Sequence, residues 1–417
     1  MHLPAWNLSN RIRPLLTVLA ATACGALLAG LLPLRPAVTA DPGERSLPGA
    51  RAVIDAARYP SLQAAFDAVP PEGGMVQLPP GTFEITEPLR LGRGDVQLRG
   101  AGAATHIVNK NTEGKSALIV AHPDGEKVKK EDRLWRVHLA DFRITGNEQS
   151  GHGIEAILCE EIHLEGVTVS YHGGEGIRLD RCYEDPRIVD CLITYNKSTG
   201  VNLLGCHDIV VTGCQFEENQ DALHCFDGFN LCLTGSCVDD HLGNGVVIEN
   251  TYGSVLAGNM IEECNAAAVI LDRDCYGITI SANVIAHNGA GVDLRDAHGC
   301  AVSANTFTIM KTDALRIGPG SNRITATGNS FANSLISGEG EVRRQKGDLA
   351  AAGLVLEGTS DNVIAGNGFS SVKPKAIELR GEASRRILFS GNGLTDVESD
   401  HDQLQDSVLE GNLLPAE

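Results

Sequence analysis

Acidic side chains and one histidine recur at alternate positions of short apolar segments in the middle of the chain. Glu249 and Asp272 end two such segments, VVIE and VILD, which lie 23 residues apart. If these segments are neighbouring parallel strands, the two carboxylates start roughly 5 Å apart, which favours one protonated and one ionised group. Hydrolysis of a glycosidic bond needs such an acid beside a base, and Asp272 with Asp293 is the other pair. The candidate catalytic residues are His224, Asp227, Glu249, Asp272 and Asp293.

Arginines share these positions and suggest a second kind of chemistry. A guanidinium can hold the carboxylate of a uronate sugar through two parallel hydrogen bonds. β-Elimination and epimerisation both need that carboxylate neutralised before the C5 proton leaves, and His224 or an arginine would then be the base. The candidate substrate-binding residues are Arg178, Asp180, Arg295 and Arg316.

The same charges also have a purely structural interpretation. Opposite charges on successive strands form salt bridges along a solvated sheet face, and such pairs need no ligand. An enzyme would gather these side chains in a walled cleft, whereas a scaffold would spread them over a flat face. The sequence leaves both interpretations open.

A repeat must position all of these residues. Its units begin 22 to 24 residues apart, except for one step of 39. A period near 23 with alternating apolar positions and no 3.6-residue periodicity predicts a parallel β-helix with three short strands per coil. The first and third residues after each opening residue should face inward, and the second and fourth should face solvent. The opening residues are Gly153, Gly176, Gly200, Ala222, Gly245, Ala268, Gly291, Ala314, Gly353 and Ala376.

A column of asparagines and cysteines marks one bend of the coils. Stacked asparagine amides can bond along the axis, and cysteines fill the same position as small apolar side chains. Side chains of such a column point in parallel, which leaves poor disulfide geometry, so we expect buried thiols. The predicted column is Cys191, Cys214, Cys237, Asn259, Asn283, Asn305, Asn329, Asn367 and Asn392, with Cys159, Cys182 and Cys206 in a further one.

The ends and interruptions of the repeat are also visible. In YPSLQAAFDAV (59–69) the apolar residues share one helical face and Ser61 is a candidate N-cap, which predicts a short helix capping the open end. Two charged stretches, 123–133 and 334–350, interrupt the repeat and are predicted to be loop insertions. Insertions into solenoids usually lie on one face, sometimes the binding face.

Composition and charge limit the partners. The 417 residues carry a formal charge of −19, and aromatic residues make up 4 %. We predict no nucleic-acid partner, because phosphate binding needs a basic surface. A polyanionic substrate would need a local basic patch or a bridging divalent cation, which makes calcium at Asp180, Asp272 or Asp293 a candidate cofactor. The histidines lack the tight spacing of zinc ligands, so no dedicated zinc site is predicted.

The N-terminal 40 residues have the pattern of an export signal. They contain three arginines and no acidic residue, with an uncharged apolar run over 15–32. We predict a signal peptide over 1–40 and one β-helix domain over 41–417 with a formal charge of −22. An uncleaved membrane anchor is the alternative, because the apolar run reaches the lower end of spanning length. Either interpretation predicts a secreted, periplasmic or surface protein.

The first coils resemble a known family. The segment is YPSLQAAFDAVPPEGGMVQLPPGTFEITEPLRLGRGDVQLRGAG (59–102). It resembles the opening of the pectate-lyase-like superfamily of right-handed parallel β-helices, where a capping helix leads to a glycine, an LPPGTF strand and an LRGAG coil. Together with the repeat, the resemblance covers nearly all of 51–413. It implies an extracellular or periplasmic protein acting on a polysaccharide that lies along one parallel sheet.

The resemblance leaves the reaction open. It implies a lyase, a glycoside hydrolase or a uronate epimerase, but the Asn-Thr-Asp, paired-Asp and Arg-Ile-Lys motifs of the family's hydrolases are missing here. The prediction is therefore an exported, carbohydrate-active β-helix, with a monomer as the expected state. The alternative is a non-catalytic surface or periplasmic β-helix for binding or scaffolding, since this fold does not fix function.

Overall fold

The computed structural model describes residues 48–332 and 351–415. Residues 51–417 form one compact unit, distinct from residues 1–50. The predicted export signal and the predicted insertion at 334–350 lie outside the described residues. In the described part of the chain, no helix has the length and apolarity needed to cross a bilayer.

Three parallel sheets form the body of the unit, and each coil contributes one strand to each sheet in most of the chain. Ile154 pairs with Ile177 and Ile177 with Val201, so one coil takes 23 or 24 residues. The strand order in every sheet follows the order in the chain. The predicted parallel β-helix with three strands per coil is therefore confirmed.

The strands of the three sheets are short, and most have three or four residues. Sheet 1 has 15 strands: Ala52–Asp55, Gly74–Gln77, Val96–Arg99, His138–Ala140, His163–Glu165, Arg187–Val189, Val210–Thr212, Cys232–Thr234, Val255–Ala257, Thr279–Ser281, Ala301–Ser303, Thr325–Thr327, Val363–Ala365, Leu388–Ser390 and Val408–Glu410. Sheet 2 has 13 strands: Gly81–Ile85, Thr105–Asn109, Arg143–Thr145, Thr168–Ser170, Leu192–Thr194, Gln215–Glu217, Cys237–Asp239, Met260–Glu262, Val284–Ala286, Thr306–Thr308, Ser330–Ala332, Gly368–Ser370 and Gly393–Thr395.

Sheet 3 carries the predicted functional residues. Its 12 strands are Leu89–Leu91, Leu118–Ala121, Ile154–Ile157, Ile177–Asp180, Val201–Leu204, Leu223–Phe226, Val246–Glu249, Ala267–Asp272, Ala290–Leu294, Asp313–Ile317, Ala352–Glu357 and Ile377–Arg380. Two smaller sheets pair Leu134–Trp135 with Cys159–Glu160 and Cys275–Tyr276 with Ala297–His298. The 3₁₀ helices are Ala56–Arg58, Gly102–Ala104, Gly125–Lys127, Lys130–Asp132 and His401–Gln403.

Helical residues cap the first coils as the sequence predicted. The α-helix Leu62–Asp67 begins at Ser61, whose hydroxyl accepts a hydrogen bond from the backbone N–H of Ala64 at 3.1 Å. The predicted apolar face is buried. Gln63 joins the helix to sheet 3, because its side chain bonds the backbone N–H and C=O of Arg90 at 2.8 and 3.0 Å. The helix therefore lies at the N-terminal end of sheet 3.

Columns of similar apolar side chains fill the interior. The inward positions of sheet 3 run Ile154, Ile177, Val201 and Leu223, and all four are fully buried. Burying one such side chain contributes about 1.5–3 kcal/mol. In the later coils Phe307, Phe331 and Phe369 stack with centroids 4.9 and 4.6 Å apart. The core is therefore built by repetition from coil to coil.

The asparagine ladder predicted at one bend is present. Asn305 accepts hydrogen bonds from the backbone N–H and the side-chain amide of Asn283, both at 3.0 Å. Its own amide donates to the Ile280 carbonyl at 2.9 Å and to Asn329 at 3.1 Å. Each asparagine thus satisfies buried backbone groups that have no strand partner at the bend.

One member of the predicted column was wrong. Ser236, not Cys237, occupies the position between Cys214 and Asn259, since Ser236 donates its N–H to Asn259 and accepts the N–H of Cys214. Cys237 is the next residue, the first of a sheet 2 strand, and is partly exposed. The serine hydroxyl can accept the hydrogen bond that the bend requires, whereas a thiol is a weak acceptor.

The cysteines carry free thiols. None of the eleven described cysteines is in a disulfide, and nine are buried. Burial raises the pKa of Cys225 and Cys275 to about 12. Such thiols stay protonated and behave as small apolar core residues.

A second ladder, which the sequence analysis did not identify, contains histidines. Asn196 accepts the N–H of His172 at 3.1 Å, and Asn219 accepts the N–H of Asn196 at 3.0 Å. His241 continues the ladder because its Nδ1 accepts the N–H of Asn219 at 3.2 Å. Burial lowers the pKa of His172 and of His241 to about 4. Both rings are therefore neutral members of a structural column.

Replacing Asn305 by alanine tests the first ladder. The N305A variant leaves the Asn283 N–H and the Ile280 carbonyl buried without partners, so we expect the free energy of unfolding to fall by about 3 kcal/mol. Urea unfolding followed by circular dichroism measures this change. Thr306→Ala, an exposed change one residue away, is the control, and equal effects of the two changes would contradict the ladder's role.

Replacing His241 by asparagine tests the second ladder. The pKa of His241 is lower in the fold than its unfolded value of about 6.5, so the unfolded chain binds more protons between pH 6.5 and 4. Stability is therefore lost as the pH falls through this window, by about 3 kcal/mol for this group. Asparagine keeps the acceptor without the titration. We expect H241N to lose less stability than the wild type by about that amount, and parallel losses in urea unfolding would refute the assignment.

Candidate functional site

The outer face of sheet 3 carries the predicted columns. One column pairs Arg178 with Asn202 and Asn202 with His224, and another pairs Glu249 with Asp272. Seven of the nine predicted site residues lie in strands of this sheet. The other two, Asp227 and Arg295, directly follow the strands Leu223–Phe226 and Ala290–Leu294. All nine therefore lie along one sheet, where eight of them form three local groups and Asp227 lies apart.

The first group surrounds Arg178. Its guanidinium lies 3.8 Å from Glu155, 3.4 Å from Glu175 and 3.6 Å from Asp180. Asp180 has a second partner in Arg181, whose Nε donates to it at 2.8 Å. Because three carboxylates contact one guanidinium, Arg178 is already neutralised by the protein.

The central group is a histidine held by a carboxylate. His224 Nε2 lies 2.9 Å from Glu249 Oε2, and Arg273 Nε lies 3.0 Å from the other oxygen of Glu249. Arg273 also extends over the ring of Phe226, with its guanidinium carbon 5.8 Å from the ring centre. No described residue forms a hydrogen bond with Nδ1 of His224, and the side chain is 25 % exposed.

The third group links two aspartates to two arginines. Arg295 donates to Asp293 at 2.8 Å and lies 3.8 Å from Asp272. Arg316 lies 3.4 Å from Asp293 and contacts Glu357 more closely, at 2.5 Å. Asp293 is nearly buried. Its two guanidinium partners make it a structural centre of this group.

Asp227 lies apart from these groups. It occupies a turn with φ of 55°, and its carboxylate accepts a hydrogen bond from Asn250 at 3.1 Å. Asn250, at φ of 44°, follows the next strand in the same way. Asp and Asn adopt this left-handed conformation at low cost, which explains why they stand at these turns.

Each predicted acid except Asp227 has a basic partner, which affects the predicted acid pair and the predicted calcium site. Glu249 and Asp272 are neighbours in register as expected, but His224 and Arg273 contact the first and Arg295 the second. Calcium prefers a cage of six to eight oxygen ligands with no competing cation. The guanidinium groups beside Asp180, Asp272 and Asp293 therefore do not fit the calcium site considered from the sequence.

Two acids of the outer face of sheet 3, Glu175 and Glu357, were not predicted from the sequence. Glu175 is nearly buried, its carboxylate accepts a hydrogen bond from the amide of Asn202, and its backbone N–H donates to Nδ1 of His152 at 3.0 Å. Glu357 binds Arg316 across the step of 39 residues. Glu175 directly precedes an opening glycine, and Glu357 ends a strand whose register the insertion obscured. An alignment of coils that included these positions would have found both.

An aromatic column follows the sheet 3 strands. Tyr183, His207, Phe229 and Tyr252 stack edge to face, with centroids 4.7, 4.4 and 4.3 Å apart. Each stands three residues beyond a sheet 3 strand. Tyr252 is half exposed, so the column provides apolar surface beside the charged face.

Three potential metal ligands lie on another sheet. The donor atoms of His138, His163 and Glu165, all in sheet 1, lie within 4.8 Å of one another. The imidazole rings are parallel, 4.4 Å apart, and Arg187 is the next residue of the His163 column. The sequence analysis predicted no zinc site and did not single out these residues. They are separate from the charged groups of sheet 3.

These features define a β-helix with a charged outer sheet face. The chain belongs to the right-handed β-helix region family, which matches residues 131–283, 188–331 and 267–407. Its fold is a right-handed parallel β-helix, as the first coils indicated. No curated protein sequence matches the chain.

Solved structures share the fold at low identity. Tailspike protein 3 of bacteriophage CBA120 matches with a TM-score of 0.54 at 12 % identity, covering 81 % of this chain and 61 % of the tailspike. The periplasmic alginate epimerase AlgG matches with 0.53 at 11 %, covering 88 % and 84 %. The family 28 exopolygalacturonase of Yersinia enterocolitica matches with 0.52 at 12 %, covering 87 % and 78 %. The chain spans about three fifths of the length of the viral proteins that it matches.

Replacing Asp293 by asparagine tests whether this residue holds the third group together. The D293N variant leaves Arg295 and Arg316 without their shared carboxylate, and both guanidiniums remain partly exposed. We therefore expect a loss of about 1–2 kcal/mol in the free energy of unfolding. Asp227→Asn, at an exposed turn, should change it by less than about 0.5 kcal/mol. Equal urea midpoints for the two variants would rule out the structural role of Asp293.

Proposed function

We propose that the outer face of sheet 3 binds a uronate-containing polysaccharide and abstracts its C5 proton, as a polysaccharide lyase or a uronate epimerase does. The observation that carries this proposal is the contact between His224 Nε2 and Glu249 at 2.9 Å. If Nε2 holds the proton and donates it to Glu249, Nδ1 has a free lone pair on the open side of the sheet. A histidine oriented by a carboxylate is a common general base.

The neighbouring arginines supply the second requirement. Arg273 and Arg295 are 63 % and 46 % exposed, so they can also contact a ligand while they contact Glu249 and Asp293. A guanidinium beside the substrate carboxylate stabilises the negative charge that develops when the C5 proton leaves. Arg178 and Arg316 are held more fully by carboxylates and are proposed to position the face.

The proton transfer leads to one of two products. Nδ1 of His224 takes the C5 proton, Glu249 stabilises the resulting imidazolium, and the electron pair moves toward the carboxylate of the sugar. In elimination this pair forms the C4–C5 double bond, the C4–O bond breaks, and the imidazolium of His224 gives its proton to the leaving oxygen. In epimerisation a water on the opposite face gives C5 a proton, and His224 then releases its own proton to solvent. The contact between His224 and Glu249 supports the step that both reactions share, which is removal of the C5 proton.

Hydrolysis fits the site less well. A hydrolase needs one carboxyl group that carries a proton. Glu249 contacts Arg273 at 3.0 Å and Asp272 lies 3.8 Å from Arg295, so both acids are engaged in ion pairs rather than free to meet a glycosidic oxygen. The missing hydrolase motifs point in the same direction.

The comparisons support the substrate class and the location. Among the similar structures, one is named a periplasmic alginate epimerase and another an exopolygalacturonase. We extend the proposal to an exported protein with a signal peptide over 1–40 and a monomeric β-helix domain over 41–417. The aromatic column beside sheet 3 provides apolar surface for sugar rings.

A second candidate function is polysaccharide binding without catalysis. The observation that favours it is the pairing of charges, because each predicted acid already contacts an arginine, a histidine or an amide. Such a face is stable without a substrate. The two candidates predict the same binding and differ only in turnover.

Substitution of His224 separates these candidates. We expect purified H224Q to lose 10²- to 10⁴-fold in turnover on the uronate polysaccharide that the wild type accepts, while its binding affinity stays the same. The measurements are the absorbance of unsaturated ends, the epimer ratio and reducing sugar, on uronate-containing and neutral polysaccharides with and without calcium.

His287→Gln is the matched control, because His287 also contacts a carboxylate, that of Glu263 at 2.8 Å, but follows a sheet 2 strand. Turnover by H224Q equal to that of the wild type would overturn the assignment of the base. Binding without any turnover by the wild type would favour the second candidate.

A further inference from the structure

A cavity of about 790 Å³ opens at the first coils of the same sheet 3 face. Its volume is in the range of ligand-binding pockets. Its lining includes Arg90, Ile119 and Glu155, which pair in register and lead directly to Arg178 in the next strand. The cavity is therefore continuous with the proposed substrate face. Its lining extends from Arg90, five strands or about 24 Å from His224, to Glu155, three strands from His224.

Two structural elements enclose this cavity. The capping helix provides Gln63 and Asp67 at the N-terminal end, and the insertion predicted at 123–133 provides Pro123 and Gly125 on one side. Glu126 of the insertion contacts Arg181 at 3.0 Å, which ties it to the end of the strand Ile177–Asp180. The insertion thus forms a wall beside sheet 3.

The cavity contains two arginines whose guanidinium groups have no partner in the part of the chain that the structure describes. Arg90 and Arg93 line it, and both are exposed. Neither guanidinium makes a hydrogen bond or an ion pair with any described residue. Every arginine among the predicted sheet 3 residues, in contrast, contacts a carboxylate.

The acids at the cavity are already engaged. Glu155 accepts a hydrogen bond from Ser116 at 2.9 Å and lies 3.8 Å from Arg178. Asp67 accepts a hydrogen bond from Gln63 at 2.8 Å. The charged lining therefore consists of two acids with described partners and two arginines without one.

Apolar side chains complete the lining. Ile119 and Ile157 extend outward from sheet 3, and Pro123 faces them from the insertion. Free guanidiniums above an apolar floor suit a ligand with one apolar face and a carboxylate at its rim, which describes a uronate ring. A neutral sugar would leave both arginines without a partner.

We propose that this cavity is an anchoring subsite for an acidic sugar of the polysaccharide, with Arg90 and Arg93 as the carboxylate-binding residues. It would hold the chain at one end of sheet 3 while a distant sugar lies at His224. The inference rests on the proposed substrate class and is independent of proton abstraction at His224. The cavity would also fix the orientation of the polysaccharide along sheet 3, because the cavity lies at one end of the face.

Binding of short oligouronates to the wild-type protein and to variants tests this subsite. The probes are oligogalacturonate and oligomannuronate, with cello-oligosaccharide as the neutral control, measured by titration calorimetry. We expect the affinity for the acidic probe to fall about tenfold for each of R90A and R93A and further in the double variant. Arg385→Ala, an exposed arginine far along the chain, should leave it unchanged.

The variants separate this inference from the proposed function. H224Q should bind the probe like the wild type, and R90A/R93A should retain the circular dichroism spectrum of the folded protein. If R90A/R93A binds with wild-type affinity, or if Arg385→Ala weakens binding equally, the subsite is wrong, whatever the result for H224Q. If R90A/R93A weakens binding and H224Q keeps full turnover, the subsite stands and the assigned base fails.

Discussion

The whole structure depends on the register between successive coils. Parallel strands about 4.8 Å apart place each residue against the equivalent residue of the next coil, so that every position becomes a column. A column of Phe or Ile gains contacts at each step, and a column of Asn gains hydrogen bonds. A column of like charges would be unfavourable. The choice of residue at each position therefore follows from its neighbours in the coils before and after it.

The order of charged residues on the outer face of sheet 3 is consistent with this dependence on neighbouring coils. Glu155 is followed by Arg178 in register, and Asp293 by Arg316. Where two acids are neighbours, as at Glu249 and Asp272, cations from other positions contact both of them. The pairing stabilises the face and also sets which groups remain available to a ligand. His224 Nδ1 and the outer parts of Arg273 and Arg295 meet that condition, which is why the proposed chemistry centres on them.

The sequence predicted the parts of the structure that repeat. The period placed the inward and outward columns of sheet 3 correctly, and the Ser61 cap was correct because its signal is local. Cys237 was misplaced by one residue, since Ser236 and Cys237 both look like small residues of a bend. The ladder that contains His172 and His241 was not predicted, because the role of these neutral rings depends on burial, which a single sequence does not reveal.

The cavity at the first coils could not be predicted for a different reason. It forms where the capping helix, the insertion and sheet 3 meet, and no periodic pattern connects these three segments. The net charge of −19 did predict that the protein needs a local basic patch to bind a polyanion. Interactions of exposed charges are screened beyond about 10 Å, so net charge does not decide binding at a particular site. Arg90 and Arg93, which have no described partner, form such a local basic patch at the enclosed end of sheet 3. A carboxylate that enters the cavity comes within about 10 Å of both guanidinium groups and is attracted to them.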